Sequence, residues 1–293
     1  MKSGKPTSRW FGVWCVFLLC LFALGITPAE EKAALRIVTL APNLTETVFA
    51  LGHGGDVVGV TDYCRFPEEA KSRKKVGGLF NANAEAILSL QSNLVLLPPS
   101  QRKIFDAMNA AKIRTAMMET ETVEDIYATT LKVGEVIGED AAAKKLVDEM
   151  KAGVAAMKKK NSGHEKVRTL FVVGYSSEGM REIYGVGHAT FLDELMTMAG
   201  AENILGDSSL RYPVVAREFL IANPPDLIID ANGDGKGPRS DESKAIVRDN
   251  WRKFFGENAK KQPRIAFLDD PHVTIPGPTF LESAEKLRKM ITP

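Results

Sequence analysis

Catalytic or metal chemistry in this chain would have to come from four histidines, a serine set between glycines and one acidic glycine loop. Spacing is the first test of each. His53, His164, His188 and His272 lie far apart in the sequence, whereas a zinc or manganese site needs several ligands converging on one ion. His53 follows a helix end and His164 sits in a polar linker, so both read as solvated, while His188 and His272 stand in segments that could face a cleft. The run Gly-Tyr-Ser-Ser-Glu-Gly at 174–179 suggests a nucleophile elbow, with His188 and Asp269 as the evident partners of Ser176. That turn needs Gly-x-Ser-x-Gly, and here the second glycine comes one residue late. Asp-Ala-Asn-Gly-Asp-Gly at 230–235 matches the opening of a calcium loop, whose oxygens must converge on one ion. Its eighth position is Gly237 and its twelfth is Asp241 rather than glutamate, and a strand-like run precedes it instead of a helix. It reads better as a glycine-rich cleft loop after a parallel strand.

A repeated stretch points to binding rather than catalysis. Residues 83–97 return, altered, as residues 216–230. In both, an acid (Glu85, Glu218) opens a short amphipathic helix, a polar turn follows, and a continuous apolar run closes the unit. Such a run suits a strand of a parallel sheet covered on both faces. The copies imply two similar α/β lobes, and clefts between lobes bind ligands.

The 293 residues, 44% hydrophobic and 26% charged, are enough for two compact domains. A net charge of +1 argues against a nucleic-acid partner, which would call for a basic excess on one face. Lys2, Lys5 and Arg9 precede an uncharged apolar run at 10–26, followed by the small residues Thr27, Pro28 and Ala29. That layout is expected of a secretory signal peptide covering residues 1–29. An uncleaved anchor is the alternative, although the run falls short of the ~20 residues that a membrane span needs. Cys20 suggests lipidation, but bulky Leu19 precedes it and apolar residues follow it. With Cys15 and Cys20 in the signal, Cys64 is left alone and forms no internal bridge. Nearby Arg65 is weak support for a reactive thiol, so Cys64 reads as a small packed or pocket-lining residue.

In chain order, residues 36–41 read as a strand and 44–51 as a helix closed by Gly52. Residues 56–61 read as a second strand, leaving the sheet through Asp-Tyr-Cys-Arg-Phe-Pro at 62–67, and the lysines at 71–75 as a solvated loop. Residues 139–160 carry Ala143, Leu146, Val147, Met150, Val154 and Met157 at helical spacing, with closing lysines that suit a helix C-terminus. A strand at 167–173 and a loop at 174–179 open the second lobe. A further loop and helix span 183–200, and a strand at 264–268 and a helix at 279–291 close the chain.

The ordered segments Arg-Ile-Val-Thr-Leu-Ala-Pro-Asn-Leu-Thr-Glu, Val-Val-Gly-Val-Thr-Asp-Tyr-Cys, Phe-Pro-Glu-Glu-Ala, Lys-Val-Gly-Gly and Asn-Ala-Asn-Ala-Glu-Ala-Ile-Leu carry a resemblance. They are similar to the periplasmic substrate-binding proteins that feed vitamin B12, ferric-siderophore and haem ABC importers, with the vitamin B12 binders nearest. The resemblance implies the class III periplasmic binding protein fold, with two Rossmann-like lobes joined by a single long helix. The expected divisions are 35–138 for the first lobe, 139–161 for the connecting helix and 166–293 for the second lobe. It further implies a periplasmic, non-enzymatic protein that captures a corrinoid between the lobes and delivers it to an ABC permease. Haem or a ferric siderophore is the alternative ligand, for which Arg65, Arg181 and Arg211 keep room, and an exported hydrolase is the distant alternative.

A corrin or porphyrin presents a broad, mostly apolar plane on which rings stack. Tyr63, Phe80, Tyr175 and Tyr212 lie in expected cleft loops, and with His272 they form the expected ligand-binding set. Tyr63 and Tyr212 match family ligand positions, and Phe80 lies near one. Glu85 and Glu218 match the glutamates that meet arginines on the importer's membrane subunits, and locally each stabilises its helix by about 0.3–1 kcal/mol through the helix dipole. The chain departs from the family pattern at Ala216, where a serine commonly caps the helix, and at Thr279, where arginine often follows Pro-Gly-Pro. Pro271 and His272 stand where the vitamin B12 binders carry an aromatic pair.

Overall fold

The apolar runs of the sequence become the central strands of two sheets, each buried on both faces by helices. The computed structural model describes residues 34–176, 180–233, 238–257, 259 and 261–292. The expected signal segment, 1–29, and part of the calcium-like loop, 234–237, lie outside the described residues. In the first lobe β1 (Ile37–Thr39), β2 (Val57–Val60), β3 (Lys74–Lys75), β4 (Leu94–Leu97) and β5 (Arg114–Met117) form one parallel sheet in the order β3-β2-β1-β4-β5.

Strand alternation decides what each face receives. Ile37, Leu94 and Leu96 meet Leu44 and Val48 of α1 (Pro42–Ala50). On the opposite face Val38, Val95 and Leu97 meet Ile87 of α2 (Ala84–Ser89) with Ile104 and Met108 of α3 (Arg102–Ala110). The second lobe repeats the plan with β6 (Val167–Tyr175), β10 (Leu227–Asp230) and β11 (Arg264–Phe267) in parallel. There Phe171, Leu227 and Ile229 pack on α6 (Phe191–Met198) and α9 (Phe280–Ile291). Leu170, Val172 and Ile228 pack on Leu220 of α7 (Arg217–Ala222) and on Trp251 and Phe254 of α8 (Asp241–Phe255).

Four short strands depart from the sequence reading. Residues 183–187, expected as a loop, begin with β7 (Ile183–Gly185), which runs antiparallel to both β6 and β9 (Val214–Val215). Ile183 and Gly185 face inward, and a Cβ at Gly185 would come within 2.4 Å of the Leu205 side chain, which would have to move to admit it. β8 (Ala201–Asn203) pairs in parallel with the start of β6, taking the same edge that β7 occupies further along. The lysine segment, expected as a loop, holds a 3-10 turn at Glu68–Ser72 and β3, and Lys75 Nζ folds back to donate to the carbonyls of Cys64 and Ala70.

The long helix α5 (Asp140–Asn161) spans 22 residues, about 33 Å at 1.5 Å per residue. Ala143 near its start belongs to the first lobe's core, Val147 and Met150 to the second lobe's, and Leu146 touches both. α4 (Val123–Ile137) runs beside it in the same way, with Val123, Ile126 and Tyr127 in the second core and Val133 and Ile137 in the first. The turn between them closes tightly: Gly138 adopts φ +88°, and a Cβ at Gly134 would come within 2.4 Å of the Ala143 Cβ. His53, read as solvated, is instead largely buried, its Nδ1 2.6 Å from Asp56 and its Nε2 3.2 Å from Glu139 at the start of α5. Those two carboxylates hold the His53 pKa above its ordinary value against the opposing, larger single effect of burial.

Because Met150 is fully packed where α5 enters the second core, Met150→Ala is expected to destabilise the protein by about 2–5 kcal/mol. Urea unfolding followed by circular dichroism should show a lower midpoint with an unchanged slope, and an unchanged midpoint would contradict this packing role.

Candidate functional site

Contacts that cross between the lobes define where a ligand can sit. Glu46 of α1 is only 2% exposed, and two groups of the second lobe reach it. His272 Nε2 lies 3.2 Å from its Oε1, and the Thr279 hydroxyl donates to its Oε2 at 3.1 Å. The Phe66 ring, also from the first lobe, lies on the His272 imidazole with centroids 4.1 Å apart. Elsewhere along the boundary Arg211 pairs with Glu121 at 3.3 Å. The first N–H of α4, at Val123, donates to the Glu194 carboxylate of α6 at 2.7 Å.

His272, expected among the ligand-binding residues, here bridges the two lobes through Glu46 and Thr279. The Glu46 carboxylate 3.2 Å away raises its pKa, an effect that outweighs the burial favouring the neutral ring. His188, also considered for the cleft, is exposed and stands 3.4 Å from Asp193. It borders a cavity of about 640 Å³ between α4, α5, α6 and β8, which none of the five expected ligand residues lines. That cavity mixes Lys158 and Lys166 with Glu124, Glu194 and Glu202, and its walls converge no aromatic rings on a plane.

The aromatic positions are distributed over both lobes. Tyr63 follows β2 and is 55% exposed. Phe80 follows β3 and is 81% exposed. Their segments meet: a Cβ at Gly78 would lie 3.7 Å from the Tyr63 ring. The turn carrying Phe80 is held from beneath, since Gln101 Nε2 donates to the carbonyls of Gly78 and Leu79, and Gly78 N–H donates to the Asn81 side chain. An aromatic ring left so exposed on a fixed turn is a ready stacking surface, worth about 0.5–1.5 kcal/mol beyond the area it covers.

On the second lobe Tyr212 is 46% exposed beside the Arg211–Glu121 pair. Burial of its hydroxyl end, with Glu121 adding to it, raises its pKa and keeps the phenol neutral. Tyr175, expected in a loop, ends β6 instead. It is half-buried against Asp230, Asn232 and Arg239, and that burial, reinforced by Asp230, raises its pKa too. The structure brings the segments of Tyr63 and Phe80 together, sets Tyr212 near Glu121, and turns Tyr175 toward its own lobe's polar cluster.

That cluster was not apparent from the sequence. Arg239 donates through Nη1 to Asp230 Oδ1 at 2.6 Å, through Nη2 to the Asp230 carbonyl at 2.6 Å and through Nε to Asp269 Oδ1 at 2.7 Å. Lys244 completes it, 2.7 Å from Asp269 Oδ2. Burial alone would raise the Asp269 carboxyl, but the hydrogen bonds from Lys244 and Arg239 prevail and hold it below the usual range. The guanidinium also lies 4.7 Å from the Phe267 ring centroid. A signal did exist: two acids ending adjacent parallel strands require a cation between them.

Other candidates are placed plainly. Cys64 is buried and accepts a hydrogen bond from Thr45 at 3.1 Å. The Ser176 hydroxyl accepts from Glu182 N–H, while His188 and Asp269 are paired elsewhere as described. Among the described residues no group of three His, Cys, Asp or Glu side chains could hold a metal ion. Glu85 and Glu218 both stand exposed in the first turns of α2 and α7. Asn83 caps α2 by accepting from Ala86 N–H, whereas Ala216 offers α7 no side-chain cap.

A family model described as periplasmic binding protein matches residues 37–269. An uncharacterized ABC transporter substrate-binding lipoprotein, YvrC of Bacillus subtilis (strain 168), is 29% identical over 271 residues, covering 90% of this chain and 82% of its own. A vitamin B12-binding protein of Pectobacterium atrosepticum is 24% identical over 222 residues, covering 75% of this chain and 80% of its own. Among solved structures, the apo periplasmic heme-binding protein RhuT from Roseiflexus sp. RS-1 shares the fold with a TM-score of 0.74 at 24% identity, over 88% of this chain and 98% of that one. The vitamin B12-binding protein BtuF of Vibrio cholerae does so with a TM-score of 0.69 at 19% identity, over 87% and 96%.

Removing Arg239 would leave the fully buried Asp230 carboxylate without a cation, while Asp269 keeps Lys244. Arg239→Ala is therefore expected to cost about 3–5 kcal/mol, read as a lower denaturant midpoint, and a loss below about 1 kcal/mol would show the cluster to be solvated.

Proposed function

The chain belongs to the periplasmic binding protein family, and we propose that it captures a corrinoid between its two lobes and hands it to an ABC permease without catalysing a reaction. It is the substrate-binding component of an ABC importer of the vitamin B12, haem and siderophore type, and such a component works outside the cytoplasm. Among the described residues no helix is long and apolar enough to cross a membrane. We read residues 1–29 as the signal that exports it.

The observation that carries the corrinoid reading is the set of exposed rings Tyr63, Phe80 and Tyr212, contributed by both lobes. They favour a large, flat, largely uncharged ligand. An anionic siderophore complex would want free arginine forks, and Arg211 is engaged by Glu121. Haem is the second reading, because a tyrosinate can ligate its iron. The upward shift of the Tyr212 phenol opposes that role there. The pairing of His188 with Asp193, and of Asp269 with Arg239 and Lys244, supports the non-catalytic reading over a Ser176 hydrolase.

Glu85 and Glu218 are read as docking residues for the permease's membrane subunits. The two copies that carry them align position for position: α2 with α7, β4 with β10, and buried Ile87 with buried Leu220. One helical turn beyond each glutamate, on the same face, stands an exposed apolar side chain, Leu88 at 42% and Ile221 at 53%. Each lobe thus presents the same acid and apolar pair to one partner surface, with the acids steering the encounter.

In calorimetric titration of residues 30–293, cyanocobalamin should bind one to one, with Tyr63→Ala and Tyr212→Ala each weakening it about tenfold, or ~1.4 kcal/mol. Heat from haem or a ferric siderophore but none from cyanocobalamin would overturn the ligand assignment and leave the transport role standing. Glu85→Ala with Glu218→Ala, and separately Leu88→Asp with Ile221→Asp, should leave that affinity intact. Each pair should weaken the complex with the permease in nanodiscs by about tenfold or more, and unchanged permease binding would sink the docking assignment.

A further inference from the structure

We propose that Glu46 and His272 form a charged latch that sets the spacing of the two lobes and makes the ligand affinity of the cleft depend on pH. The affinity half of this rests on the cleft being the ligand site; the latch itself does not. Glu46 is a carboxylate whose side chain is 1% exposed, sealed at the lobe boundary. An ionised carboxylate there requires hydrogen bonds and a counter-charge, and the other lobe supplies both. The Thr279 hydroxyl donates to Oε2, and the His272 imidazole faces Oε1.

The backbone is shaped for this approach. A Cβ at Gly277 would come within 2.5 Å of Glu46 Oε2, so glycine lets the segment between His272 and α9 lie against the carboxylate without displacing it. The Phe66 ring lies against the imidazole at a 36° tilt, and Nε2 is directed at Glu46 and Thr279.

A lysine or arginine here would hold its charge at every physiological pH. A histidine does not, since its charge changes between about pH 5 and 8. The groups facing the imidazole are Glu46 from α1, uncharged Phe66 from the first lobe, Asp270 on its own turn, and Lys286 from α9, which is bound to Asp270 at 2.6 Å. Glu46 and Asp270 favour the imidazolium, while burial and Lys286 oppose it, and the outcome is an upward shift. A group with a raised folded-state pKa contributes fully below about pH 6.5, its ordinary value, and loses that contribution as pH rises through the folded value. The latch is closed in acid and released in base. A latched pair of lobes is a preorganised cleft, so affinity moves in the same direction.

The test follows the full mature chain at about pH 5.5 and about pH 8.5, on either side of the imidazole transition. Spin labels at Lys103→Cys and Glu242→Cys report the distance between lobes, and calorimetry with cyanocobalamin reports affinity. The wild type should show a broader, longer distance distribution and a lower affinity at the higher pH. His272→Gln and Glu46→Gln should each abolish both dependences. His272→Gln combined with Thr279→Arg, which supplies a fixed cation, should restore the short distance at both pH values. An identical wild-type distribution at the two pH values, or a dependence that survives in His272→Gln, overturns the latch. If cyanocobalamin does not bind, the distance measurement still decides, and only the ligand assignment falls.

Discussion

A strand buried on both faces can offer a ligand only its ends and the loops beyond them. Every residue of β4 and β10 is buried, and the alternating side chains of β1 and β6 are spent on helices of both layers. Chemistry is displaced to the segments where strands run out. Tyr63, Phe80, Asp230, Asp269 and His272 all follow or end strands for this reason. Polar residues at such places must find partners or water. The second lobe solves that with an arginine between two acids, and the first lobe by borrowing a histidine from its neighbour.

The boundary between the lobes is consequently polar in its specific contacts and apolar in its support. Glu46 and Glu121 each meet a donor or cation contributed by the opposite side. Such pairs give orientation more than net stability, because desolvation offsets much of their attraction. The apolar support comes from α4 and α5, which carry side chains of both cores. Orientation and cohesion are assigned to different residues, and the rings that face outward are left out of both tasks.

What the sequence disclosed follows the range of each interaction. The central strands and α5 were legible because apolar runs and helical spacing are local signals, and the repeat made the lobes legible as a pair. β7, β8 and β9 were not, since two or three residues give no period to read, and Gly185 owes its role to Leu205 across the sheet. The Arg239 cluster and the His272–Glu46 contact could not be read because their partners lie far along the chain or across a lobe boundary. An acid on an amphipathic helix normally faces water, and nothing near Glu46 in sequence announces that it is buried. His53 was misread for the same reason, its second carboxylate arriving from the start of α5.

The sharing of α4 and α5 between the cores has a thermodynamic consequence. Neither core can be dismantled without withdrawing side chains from the other: opening the first removes the footing of Ala143, Val133 and Ile137, and the same helices then release Val147, Met150 and Ile126. Two sheets with separate cores would melt as two units, but here residues 35–293 form a single compact body. Helices shared in this way couple the unfolding of one core to that of the other.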